Sequence, residues 1–199
     1  SIVALTFTNK AAGEMKERLI KTFQGHFKLP FIGTFHSYCL LQLRSNPTML
    51  PFPNFSILDA DDQISLVKSI SKKYALAKHL TPSNITYAIS QYKNKSFSEQ
   101  PTDAFWFSPI MRDVYLEYES EKARSHCLDF DDLILQVLNL LKTNQTFKQQ
   151  LQNRVKHVLV DEYQDTSVVQ HTLLKEFALK DKTFVLDSLC AVGDEDQSI

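Results

Sequence analysis

A chain of 199 residues with 43% hydrophobic and 23% charged residues has the composition of a globular protein, either one large domain or a domain with an inserted subdomain. No apolar run approaches the roughly 20 residues of a membrane-spanning helix and no signal peptide is visible, so no membrane partner is expected. The net charge of −1 gives no overall sign of a nucleic-acid-binding protein, and three scattered cysteines without a CxxC pair favour a reducing, cytoplasmic compartment.

Strand and helix patterns alternate in the first part of the chain. An apolar run typical of a buried strand comes first, and apolar residues three and four positions apart follow it, as in a helix. The predicted elements are strands at Ile2–Thr8 and Phe31–Thr34, helices at Ala11–Gln24 and Ser37–Arg44, and a proline-containing connection at Asn46–Phe55.

The middle of the chain, Leu58–Ser125, is predicted to be helical, because it shows helical spacing without strand alternation. Asp59 or Asp61 is placed to cap a first helix, and Pro82 and Pro109 open two more. This segment is therefore interpreted as an insertion into an α/β domain.

Alternating strands and helices return after this segment. The predicted elements are helices at Phe130–Leu141 and Ser167–Leu179 and strands at Lys156–Asp161, Thr183–Leu186 and Leu189–Val192. Strands that alternate with helices imply a parallel sheet with right-handed crossovers. The fold class is therefore predicted to be α/β.

Charge is distributed unevenly along the chain. Residues Gln63–Ser98 contain six lysines and no acidic residue, whereas Leu159–Ile199 contain nine acidic residues and three lysines. A basic part of this kind can bind phosphate, and an acidic part can bind a metal ion. A solvated helical surface explains the lysines equally well.

The most specific string is Val158–Thr166, in which three apolar residues lead directly into Asp161 and Glu162. A buried parallel strand delivers the residues that follow it to the carboxyl edge of the sheet, where α/β proteins bind ligands. An aspartate there holds Mg²⁺ through water, and an adjacent glutamate orients and deprotonates an attacking water. Taken alone, the same residues are equally consistent with a strand that ends in a solvated acidic turn.

Four strings that follow predicted strands occur in a fixed order. They are Thr6–Met15 (TFTNKAAGEM), Gly33–Ser37 (GTFHS), Asp161–Thr166 (DEYQDT) and Val192–Ile199 (VGDEDQSI). In content and order this set closely resembles motifs Ia, Ib, II and III of the UvrD/Rep/PcrA family of superfamily-one DNA helicases, and the resemblance covers essentially the whole chain. It implies a partial RecA-like P-loop motor domain, with its Walker A strand absent, over residues 1–50 and 126–199. It also implies an inserted all-helical, DNA-contacting subdomain over residues 51–125.

The resemblance further implies a site that uses ATP and Mg²⁺. Asp161 matches the carboxylate that holds Mg²⁺, and Glu162 matches the general base that prepares water for attack on the γ-phosphate. Gln197 matches the glutamine that senses the γ-phosphate, a role that suits an amide because it both donates and accepts hydrogen bonds. Gln164 is also implied as a nucleotide-binding residue, and together with Asp165 it is expected to hold the turn and to link the ATP site to the neighbouring motifs.

Contacts with single-stranded and duplex DNA that carry little sequence information are also implied. An aromatic side chain at a strand end stacks on a base, and a hydroxyl, amide or imidazole holds the sugar–phosphate backbone. The implied residues are Phe7, Thr8 and Asn9 in motif Ia, Thr34, Phe35 and His36 in motif Ib, and Lys72 and Lys73 in the basic stretch Lys68–Lys95 of the inserted part. Taken alone, Phe35 is better explained as a core residue, because phenylalanine is usually buried.

The chain contains no Walker A sequence, because its four glycines are followed by Glu14, His26, Thr34 and Asp194 rather than by Lys-Ser or Lys-Thr. The P-loop is expected upstream of the first residue, and these 199 residues are therefore expected neither to hydrolyse ATP nor to unwind DNA by themselves. Leu189–Val192 is then expected to be an exposed apolar edge strand at which two copies can pair.

The expected parent protein is an ATP-dependent DNA helicase that couples ATP hydrolysis to translocation on single-stranded DNA and to duplex unwinding, in DNA repair or replication. A 3′ to 5′ polarity is expected from the resemblance alone. Two alternatives stay open. One is a non-catalytic DNA-binding module that kept the scaffold, and the other is the helicase part of a RecB/AddA-type helicase–nuclease.

Overall fold

The computed structural model describes residues 1–24, 27–74, 76, 80–96 and 108–194. The chain divides into two compact units, the sheet unit (Ser1–Asn46 with Gln136–Ile199) and the helical unit (Pro47–Leu135). In the described residues the strands are β1 Ile2–Thr6, β2 Phe31–Thr34, β3 Ser56–Ile57, β4 Cys127–Leu128, β5 His157–Val160, β6 Leu179–Lys180, β7 Thr183–Phe184 and β8 Ser188–Ala191. The α-helices there are α1 Asn9–Phe23, α2 Phe35–Ser45, α3 Ala60–Ser71, α4 Pro82–Ser96, α5 Pro109–Arg124, α6 Phe130–Thr143, α7 Gln145–Arg154 and α8 Val168–Ala178. None of these helices is long and apolar enough to cross a membrane.

Four strands of the sheet unit form one parallel sheet in the order β2-β1-β5-β8. The side chains of Val3, Ala4 and Leu5 in β1 are all buried, so this strand is covered on both faces. On one face, Ala12 of α1 packs against Ala4 and against Ile32 of β2. The predicted α/β fold with a parallel sheet is confirmed.

The register of the sheet brings the carboxyl ends of its four strands to one edge. Thr6 pairs with Thr34, and Val160 lies opposite both Leu5 and Ala191. The residues that follow β1, β2, β5 and β8 therefore all emerge at this edge, which we call the carboxyl edge. In open parallel sheets this is the edge at which ligands bind.

Threonine side chains end two of the strands and start the helices that follow. Thr8 Oγ1 accepts a hydrogen bond from the backbone N–H of Ala11 (3.1 Å), and Thr34 Oγ1 accepts one from the N–H of Ser37 (3.2 Å). Because of these caps, β1 ends at Thr6 rather than at Thr8, and α1 and α2 each begin two residues earlier than predicted.

An exposed edge strand, β8, closes one side of the sheet. All four of its residues are exposed, and Leu189 keeps 40% of its surface accessible. The expectation of an apolar edge strand at this position is confirmed.

The predicted strand at Thr183–Leu186 does not join the parallel sheet. Only β7 is extended, and it pairs antiparallel with β6. Between them, Asp181 and Lys182 have positive φ values of 49° and 65°, which turn the chain back on itself within two residues. The tight turn at Asp181 and Lys182 therefore pairs β7 with β6, and the β propensity of Thr183–Leu186 does not place this segment in the parallel sheet.

The helical unit has a core of its own where α3, α4 and α5 meet. Its buried members are Val67, Ile70, Ile85, Ile89, Met111, Val114 and Tyr118. Their spacing of three or four residues within each helix places them on one helix face. A short parallel ladder between β3 and β4, which the sequence did not predict, pairs Ser56 with Cys127 and Ile57 with Leu128 near the two ends of this unit.

Candidate functional site

An acidic turn stands at the carboxyl edge directly after β5. The N–H of Asp161 donates a hydrogen bond to the carbonyl oxygen of Leu5 (2.9 Å) and extends the β1–β5 ladder by one residue. Glu162 then adopts the left-handed conformation, with φ 52° and ψ 45°. A residue other than glycine in this region costs about 1–2 kcal/mol, and such strain clusters at functional sites. Both carboxylate side chains are partly exposed here.

The amide of Gln164 lies between this turn and the loop after β8. Its Nε2 donates a hydrogen bond to Oε2 of Glu162 (2.8 Å), and its Oε1 accepts one from the backbone N–H of Asp194 (3.0 Å). Both polar ends of the side chain therefore contact protein groups, and the expected contact of Gln164 with a nucleotide stays a prediction.

Tyr163 fastens the acidic turn to two neighbouring elements. Its backbone N–H donates to the carbonyl oxygen of Val192 after β8 (2.9 Å), and its phenol oxygen lies 2.7 Å from Nδ1 of His171 in α8. Helix α8 is itself fixed by a capping box between Ser167 and Gln170. Sequence patterns carried no signal for the Tyr163–His171 contact, because the two residues belong to different elements.

Gly193 leaves the space in which the Gln164 amide sits. A Cβ atom at this glycine would lie 2.5 Å from Oε1 of Gln164, far inside van der Waals contact. The backbone N atoms of Gln164 and Tyr163 would lie 3.2 and 3.3 Å from the same Cβ, so the glycine of motif III is favoured both by this side chain and by the close approach of the turn. Gln197, which the sequence placed at the γ-phosphate, falls outside the residues that the structure describes.

The motif Ia residues lie at the same edge, after β1. Thr8 and Asn9 are exposed, and Phe7 is half-buried. Thr6 Oγ1 donates a hydrogen bond to the carbonyl oxygen of Thr8 (3.0 Å), which holds this turn against the end of the strand. The α1 N-terminus that begins here carries unpaired N–H groups and a partial positive charge.

The motif Ib residues do not all reach the surface. Thr34 and His36 are half-buried, but Phe35 is only 1% exposed and belongs to the core of the sheet unit. As placed, its ring cannot stack on a base, so the implied DNA contact of Phe35 is wrong for this conformation. The reason is local, because α2 begins at Phe35 and this residue belongs to the buried face of that helix.

The lysines of the basic stretch have different surroundings. Lys72 is exposed at the end of α3, and Lys73, with 59% of its side chain exposed, forms an ion pair with Glu117. Lys93 is only 6% exposed, so the interpretation of the whole stretch Lys68–Lys95 as a DNA-contacting surface is wrong at this residue. Lys78 falls outside the described residues.

Lys93 instead belongs to a buried ion cluster of the helical unit, whose members are Lys93, Glu119, Lys122, Asp129 and Asp132. Each ammonium group lies within 3.0 Å of all three carboxylates. Three carboxylates so close together resemble a metal site, but the two ammonium groups supply the positive charge that they need. No sequence pattern indicated this cluster, because Lys93 lies 36 residues from Asp129 and 39 residues from Asp132 in the chain.

An apolar groove of about 790 Å³ lies at the opposite edge of the sheet. Ile2 and Phe31, at the amino ends of β1 and β2, line it together with Phe23 and Leu41. None of the residues predicted from the motifs lines this groove, so the geometry of the site rests on the carboxyl edge alone.

Comparison with known proteins agrees with the motif pattern. The whole chain, residues 1–199, matches the family model of the UvrD/REP helicase N-terminal domain. The chain belongs to this family. It is 38% identical over 206 aligned residues to the ATP-dependent DNA helicase PcrA of Staphylococcus aureus, and 38% identical to PcrA of Staphylococcus epidermidis.

Both alignments of this UvrD/REP helicase domain cover 100% of the chain but only 27% of the relative. The predicted family is therefore confirmed, and the chain is homologous to the N-terminal region of ATP-dependent DNA helicases. This UvrD/REP domain places its motif Ia, Ib and II residues, and the start of motif III, at one edge of a single parallel sheet.

Proposed function

We propose that this chain is the part of an ATP-dependent DNA helicase that carries the acidic half of the ATPase centre and one wall of the path for single-stranded DNA. One observation carries the proposal. The Asp161–Glu162 turn and the motif Ia residues Thr8 and Asn9 emerge from adjacent parallel strands at the same sheet edge. The proposed nucleotide site after β5 and the proposed DNA contacts after β1 therefore lie on neighbouring strands.

In this proposal Asp161 and Glu162 have different tasks. The oxygen-only donor set of the turn suits Mg²⁺, and the sequence has no lysine or arginine between Lys156 and Lys175 that would compete with a cation. Mg²⁺ bound with ATP neutralises charge on the phosphates. Asp161 holds that ion through water, while the carboxylate of Glu162 accepts a proton from the attacking water and orients it. Gln197 is proposed to contact the γ-phosphate.

The proposed DNA contacts are limited to groups that can reach a strand. Thr8 and Asn9 bind phosphate oxygens, Phe7 stacks on a base, and Thr34 and His36 contact the backbone at the start of α2. The N-termini of α1 and α2 both point to this edge and favour phosphate there. In the helical unit, Lys72 and Lys73 are proposed to contact duplex or single-stranded DNA.

The proposal also covers the activity of the whole protein and the inactivity of the isolated chain. The protein translocates 3′ to 5′ on single-stranded DNA, unwinds duplexes and serves DNA repair or replication. The 199 residues contain no Gly-Lys-Ser or Gly-Lys-Thr and are proposed not to hydrolyse ATP when isolated.

The test is ATP hydrolysis and strand displacement by the full-length protein in the presence of single-stranded DNA. Glu162→Gln removes the proton acceptor and should lower kcat by 10²-fold or more, as expected for loss of a general base. Glu17→Gln, an exposed glutamate of α1, is the matched control and should retain wild-type kcat. A wild-type protein that binds DNA but shows no DNA-stimulated hydrolysis would support a non-catalytic DNA-binding module instead.

A further inference from the structure

We propose that Gln164 is a positioning residue that holds the carboxylate of Glu162 for water activation and couples it to the loop after β8. The proposal rests on the proposed function, in which Glu162 is the general base. Gln164 acts through Glu162 and needs no contact with nucleotide, because both ends of its amide are already bonded within the protein.

Only an amide fits the two partners of this side chain. The carboxylate of Glu162 needs a donor, and the backbone N–H of Asp194 needs an acceptor. Asparagine and glutamine carry both functions on one rigid plane, and glutamine has the length that spans from the turn to the loop. A carboxylate in its place would keep the acceptor but set a second negative charge against Glu162.

The backbone of the turn makes this restraint necessary. Glu162 is left-handed, and its carbonyl oxygen accepts a hydrogen bond from the N–H of Asp165 (3.0 Å), so the main chain is fixed. The glutamate side chain, however, retains several rotatable bonds and is partly exposed. A hydrogen bond of 2.8 Å from Gln164 selects one of its orientations in advance, which is how catalytic groups are commonly preorganised.

Gly193 provides independent evidence that the position of this amide is built into the fold. A methyl group there would strike Oε1 of Gln164 at 2.5 Å and push the amide away from Glu162. Gly193 and Gln164 therefore act together, and a change in either should remove the same restraint.

The two hydrogen bonds of the Gln164 amide, which we call the Gln164 bridge, also connect two parts of the proposed ATPase centre. Gln197 follows Asp194 by only three residues in the chain. A displacement of the backbone N–H of Asp194 would alter its hydrogen bond with Gln164 and, through the second hydrogen bond of this amide, the orientation of Glu162. The orientation of the base is in this way coupled to the segment that carries the proposed γ-phosphate contact.

The experiment measures kcat and KM for ATP with the full-length protein at saturating single-stranded DNA. Gln164→Ala should lower kcat about tenfold, the value expected for loss of one hydrogen bond to a charged group, with KM for ATP unchanged. Gln164→Glu has the same shape and should lower kcat at least as much. Gln149→Ala, an exposed glutamine of α7, is the control and should behave as wild type.

A double-mutant cycle tests the coupling to Gly193. Gly193→Ala should lower kcat by a larger factor in the wild-type background than in Gln164→Ala, where the amide it would strike is gone and only the closer approach to the backbone N atoms of Tyr163 and Gln164 (3.3 and 3.2 Å) remains. Independent, multiplicative effects of the two changes would contradict the coupling. Wild-type kcat in Gln164→Glu would overturn the positioning role, since this variant preserves packing even where Gln164→Ala fails to fold. Glu162→Gln is the reference variant that separates the two proposals. If it keeps full activity, the proposed function itself is wrong, and not only the role of the Gln164 bridge.

Discussion

The phenol oxygen of Tyr163 lies 2.7 Å from Nδ1 of His171 and joins the acidic turn to helix α8. The same tyrosine is bonded through its backbone to Val192, so one residue connects the turn, the helix and the edge strand. Such a junction restricts the motion of Glu162, the residue immediately before it.

Removal of the hydroxyl group of Tyr163 should therefore destabilise the sheet unit. Tyr163→Phe deletes the hydrogen bond to His171 and should lower the free energy of unfolding by about 1 kcal/mol. Urea denaturation of the purified chain measures the change. Tyr87→Phe is the control, because Tyr87 is 67% exposed and should give a change near zero. Equal effects of the two variants would show that the contact with His171 contributes nothing.

A larger effect is expected in the helical unit when one partner of the buried ion cluster is removed. Lys93→Met leaves three carboxylates around the single ammonium group of Lys122, and such loss typically costs about 3–5 kcal/mol. Lys68→Met, on the exposed face of α3, is the control and should cost less than about 0.5 kcal/mol. Denaturation midpoints of the two variants compared with wild type decide the matter. A Lys93→Met variant as stable as the control would mean that the cluster is not formed in solution.

The same cluster predicts a loss of stability in acid. Burial by itself would raise the pKa of Asp129, but the ammonium groups of Lys93 and Lys122 outweigh it and hold that pKa well below its usual range. The folded state therefore binds the proton of Asp129 less readily than the unfolded chain, whose aspartates titrate near pH 4. The stabilisation is fully present above about pH 4 and is lost as the pH falls below it.

Asp129→Asn isolates this contribution. The variant should be less stable than wild type at pH 7, and the difference in the free energy of unfolding between the two proteins should shrink as the pH falls below about 4. Urea denaturation at several pH values between about 2.5 and 7 measures it. A difference that stays constant across this range would contradict the lowered pKa.

Charge reversal in the helical unit tests the proposed DNA contacts. Lys72→Glu should weaken the binding of single-stranded DNA to the full-length protein and reduce the slope of log K against log salt by about 0.7 or more. Lys72 is a cleaner choice than Lys73, whose reversal also breaks the ion pair with Glu117. Lys180→Glu, exposed in β6 of the sheet unit, is the control. An unchanged salt slope in Lys72→Glu would favour a solvated surface.

The exposed edge strand predicts self-association of the isolated chain. Among the described residues β8 has a strand partner on one side only, so two copies can pair through its other side, and the exposed side chain of Leu189 favours such contact. Sedimentation of the purified chain should show a dimer whose fraction rises with concentration. Leu189→Lys should abolish it, because a lysine on an edge strand opposes pairing. A wild-type chain that stays monomeric at high concentration would contradict the proposal.

Much of the sheet was predictable because its strands are short apolar runs followed by polar turns. The predicted boundaries were less accurate where a side chain caps a helix. Thr8 and Thr34 accept backbone hydrogen bonds, so α1 and α2 begin two residues earlier than predicted. Asp161 and Glu162 were placed correctly at the carboxyl edge, since a parallel strand determines where the residues after it emerge.

Burial and partners were less predictable, because they depend on residues distant in the chain. Nothing near Lys93 in the sequence distinguishes it from Lys95, yet Lys93 meets Asp129 and Asp132 in a buried cluster. Phe35 is the opposite case, because the usual burial of phenylalanine already favoured a core position and the structure buries its ring at the start of α2, against the DNA contact that the motif implied.

The buried ion cluster also affects the long-range electrostatic attraction between the helical unit and a phosphate group. Its two ammonium groups are surrounded by three carboxylates, which leaves one uncompensated negative charge. Beyond a Debye length of about 8 Å, Lys93 and Lys122 therefore exert no attraction on DNA. In the proposed DNA contact, the field that attracts a strand to this unit would come from exposed residues such as Lys68 and Lys72, and the lysine content of the sequence overstates its strength.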